Sequence, residues 1–180
     1  MDDKSIAVIY KSRYGSTKKY ATWIAEELNA PIFEATSITP AQLAEYDTVI
    51  YGGGIYAGGI NGIKLVTKNP CKSLVVFTVG ITDPQLADYS SVLSGNFTDE
   101  MKSKIKTFHF RGGVDYKNIK FIHKSLMTLV KKVTERKPEH ERTAEDNAVL
   151  ETHGKATDFT DKAAIAPLVD YVRKSRAIQK

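Results

Sequence analysis

A chain of 180 residues with a formal net charge of +5 and one cysteine is long enough for a single domain that buries about 70% of the surface its unfolded form would expose. Cys71 alone excludes an intramolecular disulfide and any multi-thiolate metal site, a usage that fits a reducing cytoplasm. No run of about 18 apolar residues exists, and Met1-Asp2-Asp3-Lys4 lacks the basic-then-apolar order of a secretory leader, so the expectation is a soluble, cytoplasmic protein whose positive charge favours anionic partners.

Taken in chain order, the first apolar run, Ser5 to Tyr10, reads as a buried strand. It breaks at Ser12-Arg13-Tyr14-Gly15-Ser16-Thr17 and feeds an amphipathic helix from Thr17 to Leu28 with its stripe at Tyr20, Ala21, Ile24, Ala25 and Leu28. Trp23 falls off that stripe and reads as a partly exposed packing residue. A second strand is expected at Pro31 to Ala35, a short helix at Pro40 to Ala44 behind a Thr39 cap, and a third strand at Thr48 to Gly52. After the glycine-rich stretch Gly52 to Gly59 come a helix at Asn61 to Lys68, a fourth strand at Leu74 to Gly80, a short helix near Thr98 to Ser103 and a fifth strand at Lys106 to Gly112. The next helix, Ile119 to Lys132, carries Ile119, Ile122, Leu126, Leu129, Val130 and Val133 on one stripe. From Thr134 to Thr160 periodicity fails and Arg, Lys, Glu, His and Thr dominate, which predicts a long solvated excursion inside one domain spanning 1–180. A last helix, 161–175, follows an Asp161 cap with Ala164, Ile165, Leu168, Val169 and Val172 facing inward. Strands alternating with helices argue for an α/β fold with a parallel sheet covered on both faces.

In such a sheet a ligand sits beyond the carboxyl ends of the strands, where strand order reverses, so the loops leaving strands one, three, four and five matter most. The turn from Ser12 to Thr17 puts a glycine and three hydroxyls where a helix begins, with free backbone N–H groups and the positive end of the helix dipole aimed at one point. A plain helix cap needs only Ser16 or Thr17; the added hydroxyl, Gly15 and Arg13 point to a phosphate. G-x-G-x-x-G and the Gly-Lys-Ser/Thr ending of a Walker loop are both absent, which disfavours a dinucleotide fingerprint and a nucleotide P-loop. After strand three, five glycines surround Tyr56, a composition that admits a flat ligand close to backbone with a ring to stack on it. Gly80-Ile81-Thr82-Asp83-Pro84 provides a further glycine turn. His109, His123, His140 and His153 show no metal-ligand spacing, no nucleic-acid motif accompanies the lysines between Lys102 and Lys132, and no side-chain acid, base or nucleophile stands out.

These three loops together resemble the FMN-contacting loops of the flavodoxin superfamily. Within it the chain is similar to the group that includes the menaquinone-dependent protoporphyrinogen dehydrogenases, on Tyr10-Lys11-Ser12-Arg13-Tyr14-Gly15-Ser16-Thr17 and on Phe110-Arg111-Gly112-Gly113-Val114-Asp115-Tyr116. Tyr14 and Ser16 depart from the Thr-Gly-Asn-Thr ending typical of flavodoxins, and the basic charge departs from acidic electron shuttles. The resemblance implies a three-layer α/β/α sandwich with a five-stranded parallel sheet in the order 2-1-3-4-5. It also implies FMN held at its phosphate by Ser12, Arg13, Gly15, Ser16 and Thr17, with Tyr14 of the same turn also binding the cofactor, lined on one ring face by Gly53, Gly54, Ile55 and Tyr56 and on the other by Gly80, Ile81 and Thr82. A peptide of the glycine loop would meet flavin N5, with Gly58 or Gly59 permitting it to turn over. The implied function is electron transfer with a redox partner protein, or an FMN-dependent oxidoreductase of protoporphyrinogen dehydrogenase or quinone reductase type acting on a small anionic or quinone substrate, with peripheral contact to an acidic membrane surface compatible with the charge.

Overall fold

The computed structural model describes residues 6–115 and 121–178; Met1 to Ser5, Tyr116 and Ile119 lie outside them, as do the side chains of Ile122, His123 and Leu126. The strands are β1 (Ile6–Lys11), β2 (Ile32–Glu34), β3 (Thr48–Tyr56), β4 (Gly59–Ile60), β5 (Ser73–Gly80), β6 (Lys106–Arg111), β7 (Gly113–Asp115) and β8 (Ala156–Asp158). The helices are α1 (Ser16–Leu28), α2 (Pro40–Leu43), α3 (Lys64–Thr67), α4 (Ser90–Asn96), α5 (Asp99–Lys104), α6 (Phe121–Glu135), α7 (Ala144–Thr152) and α8 (Ala166–Ile178).

Five parallel strands run in the order β2-β1-β3-β5-β6, the expected 2-1-3-4-5 arrangement once the two-residue β4, antiparallel to β3, is set aside. Because side chains alternate along a strand, each central strand serves two cores. Ile6 and Val8 of β1, Ile50 of β3 and Val75, Phe77 and Val79 of β5 meet Tyr20, Ala21 and Ile24 of α1 and Leu168, Val169 and Val172 of α8. Their neighbours Ala7, Ile9, Val49, Tyr51 and Val76 face the opposite layer, where Leu43, Ile63, Val66 and Val92 come from the α2–α5 side. Each fully buried aliphatic side chain here contributes about 1.5–3 kcal/mol.

Four departures from the sequence expectation have local causes. β3 continues through Gly52, Gly53 and Gly54 to Tyr56, since those glycines serve tight packing inside the strand: a methyl at Gly52 would run into the Phe77 ring, and one at Gly53 would sit 2.6 Å from Ile60. α3 shrinks to four residues because Gly62, at φ +73°, stands outside helical geometry and delays the start. α4 was not anticipated. The excursion is structured, with β7 and β8 pairing antiparallel and α6 packing on α7. Its order comes from polar side chains bonding one another: Thr143 and Asp146 form a reciprocal capping box, and Asp146 also accepts from Thr134 Oγ1 (3.2 Å) and Lys137 Nζ (2.7 Å). The Lys137 hydrogen bond holds the Asp146 carboxyl below its usual range. Asp161 caps a 3₁₀ turn, Lys162–Ile165, that leads into α8, and its N–H donates to the Tyr20 hydroxyl.

Candidate functional site

The strand order reverses between β1 and β3, and a cleft of about 230 Å³ opens beyond the carboxyl ends there. The turn after β1 lends it Arg13, Tyr14, Ser16 and Thr17; the end of β3 lends Gly54, Ile55, Tyr56 and Ala57; β5 lends Val79, Gly80 and Ile81. Gly112, Gly113, Val114 and Met127 complete it from the chain beyond β6.

At the turn, the Gly15 N–H donates to Ser12 Oγ (3.1 Å), which closes the loop on itself, and Gly15 takes φ +98° to swing the chain into α1. No side chain caps this helix, and the N–H groups of Ser16, Thr17 and Lys18 have no hydrogen-bond acceptor among the described residues. Thr17 is 3% exposed, yet its hydroxyl has no partner among the described residues. A buried, unsatisfied hydroxyl is expensive, and an anion seated in the cleft would accept from it and from the helix N–H groups together. Ser16 Oγ accepts from the Gly113 N–H (3.1 Å), so its hydroxyl proton remains available to donate into the same space.

The second segment is a tight hairpin between β3 and β4. Ala57 (φ +47°) and Gly58 (φ +78°) form its two-residue turn with both φ positive, the signature of type I′. Asn96 of α4 grips it, donating to the Gly58 carbonyl (2.9 Å) and accepting from the Ile60 N–H (3.0 Å). The Tyr56 ring folds over Gly54, with the Arg13 guanidinium 4.6 Å from its centroid and Tyr14 edge-on at 6.1 Å. Burial pushes the Tyr56 phenol up to about 12 against the pull of Arg13.

At the third segment, Gly80 accepts from the Gly112 N–H (2.7 Å) and Ile81 from Arg111 Nε (3.0 Å). Val114 packs with Tyr14, Ile81 and Met127 into a small apolar wall. Of the residues singled out in the sequence, Ser12 and Gly15 shape the turn without lining the cleft, Gly53 packs beneath it against Ile60 and Asn61, and Thr82 is buried away from it. Ala57, Val79, Gly112, Gly113, Val114 and Met127 were not singled out as site residues. The glycine pair after β6 was a usable signal for two of them; Met127 carried none, since it falls off the apolar stripe of its helix and no motif surrounds it.

A doubly wound α/β sheet with a cleft at its switch point defines the class. A model of the flavodoxin domain family matches residues 7–141, and the chain belongs to that family. It is 28% identical over 109 residues to an uncharacterized protein of Methanocaldococcus jannaschii, covering 57% of this chain and 67% of the relative. Among solved structures it is similar to a WrbA-like flavodoxin from Agrobacterium tumefaciens, at 22% identity and TM-score 0.39, covering 45% of this chain and 62% of the other. It is also similar to a flavoprotein from Lactobacillus acidophilus in complex with FMN, at 12% identity and TM-score 0.40, covering 59% and 91%. This chain thus spans less than two thirds of the Agrobacterium protein. No helix among the described residues is long and apolar enough to cross a membrane.

Proposed function

We propose that this protein binds FMN in the cleft and transfers electrons through it. The observation that carries the reading is Thr17: a buried hydroxyl that lines the cleft and, like the N–H groups of Ser16, Thr17 and Lys18, has no hydrogen-bond partner among the described residues. That donor set suits a phosphate monoester, and Tyr56 and Ile81, which line the same cleft, would flank a ring system joined to it. Arg13, Ser16 and Thr17 would bind the phosphate, while Ser12 and Gly15 hold the turn in shape. Gly54, Ile55 and Tyr56 would flank one side of the ring and Gly80 and Ile81 the other. Bound there, the flavin supplies the redox chemistry; the protein orients it, screens it from water and sets its potential. The net charge of +5 supports an acidic redox partner or an anionic substrate in the cytoplasm.

One observation favours a second reading, an FMN-dependent oxidoreductase of protoporphyrinogen dehydrogenase or quinone reductase type: the apolar wall of Tyr14, Ile81, Val114 and Met127 gives a small molecule something to pack on. The test is an absorbance titration of the purified protein with FMN, then of Thr17→Val. The expected result is a yellow stoichiometric complex whose affinity falls about tenfold or more in the variant. A protein that takes up no FMN, or a variant with unchanged affinity, overturns the reading. Turnover with protoporphyrinogen plus menaquinone, or with NAD(P)H plus a quinone, separates the enzyme from the carrier.

A further inference from the structure

The loop that follows β5 is an expected flank of the flavin ring, yet little backbone bonding holds it. Gly80 is fixed by the Gly112 N–H, and the next anchored point is Asp83, whose carbonyl and carboxylate start a separate turn with Gln85, Leu86 and Ala87. Between them, for Ile81 and Thr82, one hydrogen bond to another part of the chain is found among the described residues, from Arg111 Nε to the Ile81 carbonyl at 3.0 Å. Arg111 is itself clamped on two further sides. Its Nη2 pairs with Glu151 of α7 at 2.6 Å, and its guanidinium carbon lies 3.7 Å from the centroid of the Phe159 ring. The side chain is 23% exposed, so the charge is held largely inside the protein.

Two hydrogen bonds along the edge of a planar fork and an aromatic ring against its face are an arrangement arginine can make and lysine cannot. The partners come from separate parts of the chain: the cleft loop, a helix of the charged excursion, and the residue just after β8. We infer that Arg111 is the positioning residue of the cleft. Through the Ile81 carbonyl it sets where Ile81 stands in the wall with Tyr14, Val114 and Met127, and Glu151 fixes the angle from which it does so. The charged excursion thereby reaches the ring site without lining it at Glu151. This role rests on the flavin reading for its functional meaning but not for its geometry.

The experiment reads the two separately. In ligand-free protein, the NMR carbonyl-carbon resonance of Ile81 and amide hydrogen exchange in the strands are followed in wild type, Arg111→Met, Arg111→Lys and Glu151→Gln. The Ile81 carbonyl resonance moves in both Arg111 variants as its hydrogen bond is lost, and by less in Glu151→Gln, while the amides of β1, β3 and β5 keep their protection. The FMN complexes are then compared at saturation. Both Arg111 variants shift the visible absorption band and the reduction potential of the bound flavin, and Arg111→Lys fails to restore either because one ammonium cannot serve Ile81 and Glu151 together. An Ile81 carbonyl resonance that stays put, or a lysine variant that behaves as wild type, overturns the inference whatever the flavin does. Wild-type protein that binds no FMN overturns the proposed function and leaves the Ile81 result standing.

Discussion

At one end of the cleft six consecutive residues, Ser12 to Thr17, bring the glycine, the hydroxyls and the helix start that an anion needs; at the other end the wall is gathered from β5, β6, β7 and α6, with Arg111 joined to partners 30 and 40 residues away. The first region works by local geometry. Its donors point the right way because a strand must turn into a helix there, and Ser12 and Gly15 complete that turn without outside help. The second works by assembly, since Ile81, Val114 and Met127 reach one place only after the whole sheet and the excursion have docked. A cofactor held at both ends is therefore gripped by one part that tolerates change elsewhere and another that does not.

Substitutions can break that contrast, beginning with the most damaging. Gly113→Ala would drive a methyl into the Thr157 carbonyl and to 2.7 Å from Asp158 Cα, both backbone atoms that cannot step aside. The expected loss is about 3 kcal/mol in urea unfolding, with β7 and β8 separating and the wall displaced. If the variant keeps wild-type stability, the assembled end is more compliant than its geometry implies. Gly15→Ala meets no neighbour within 4 Å but forces an L-residue to φ +98°, at a cost of about 1–2 kcal/mol. FMN affinity should fall with it while the ring-end contacts survive, visible as a weaker complex with an unaltered bound-flavin spectrum; an altered spectrum at saturation would erase the distinction between the two ends.

The effect that is smallest at neutral pH, and grows as the pH falls, concerns His109 in the sheet under the assembled end. Its ring stacks on Tyr89 at 3.6 Å and bonds Thr78 through Nδ1 (2.6 Å), and burial draws its pKa down to about 4. The unfolded chain binds a proton near pH 6.5 that the folded protein refuses until about pH 4. This contribution to stability is full above pH 6.5, drains away as pH falls between those values, and levels off below pH 4. Urea midpoints against pH should flatten over that interval in His109→Phe; an identical slope in both proteins would remove His109 from the account.

The same division decides what could be read from the chain beforehand. The five parallel strands and α1 announce themselves because their apolar spacing is local, and the turn after β1 does so because its residues are contiguous. The glycines from Gly52 to Gly54 looked like a loop because composition cannot distinguish a flexible connection from a strand whose neighbours, Phe77 and Ile60, leave no room for a side chain. The excursion looked solvated because α7 depends on Thr143, Asp146, Thr134 and Lys137 bonding one another, a source of order that hydrophobic periodicity does not register. Arg111 stands in the sequence only as part of the stretch Phe110 to Tyr116 with no role of its own, because Ile81, Glu151 and Phe159 come to it from distant parts of the chain.

β7 and β8 pair with each other in a two-stranded sheet of their own, Gly113 opposite Asp158, so the segment between them starts and ends at one stem beside the main sheet. A chain in which a short link spans from Gly112 to Phe159 would retain β1 to β6, α1 and α8 in their present order, and the Ser16 hydroxyl would lose its Gly113 donor. The turn-built end of the cleft would then stand alone, as a minimal scaffold onto which other stems, with other walls and other substrates, can be grafted.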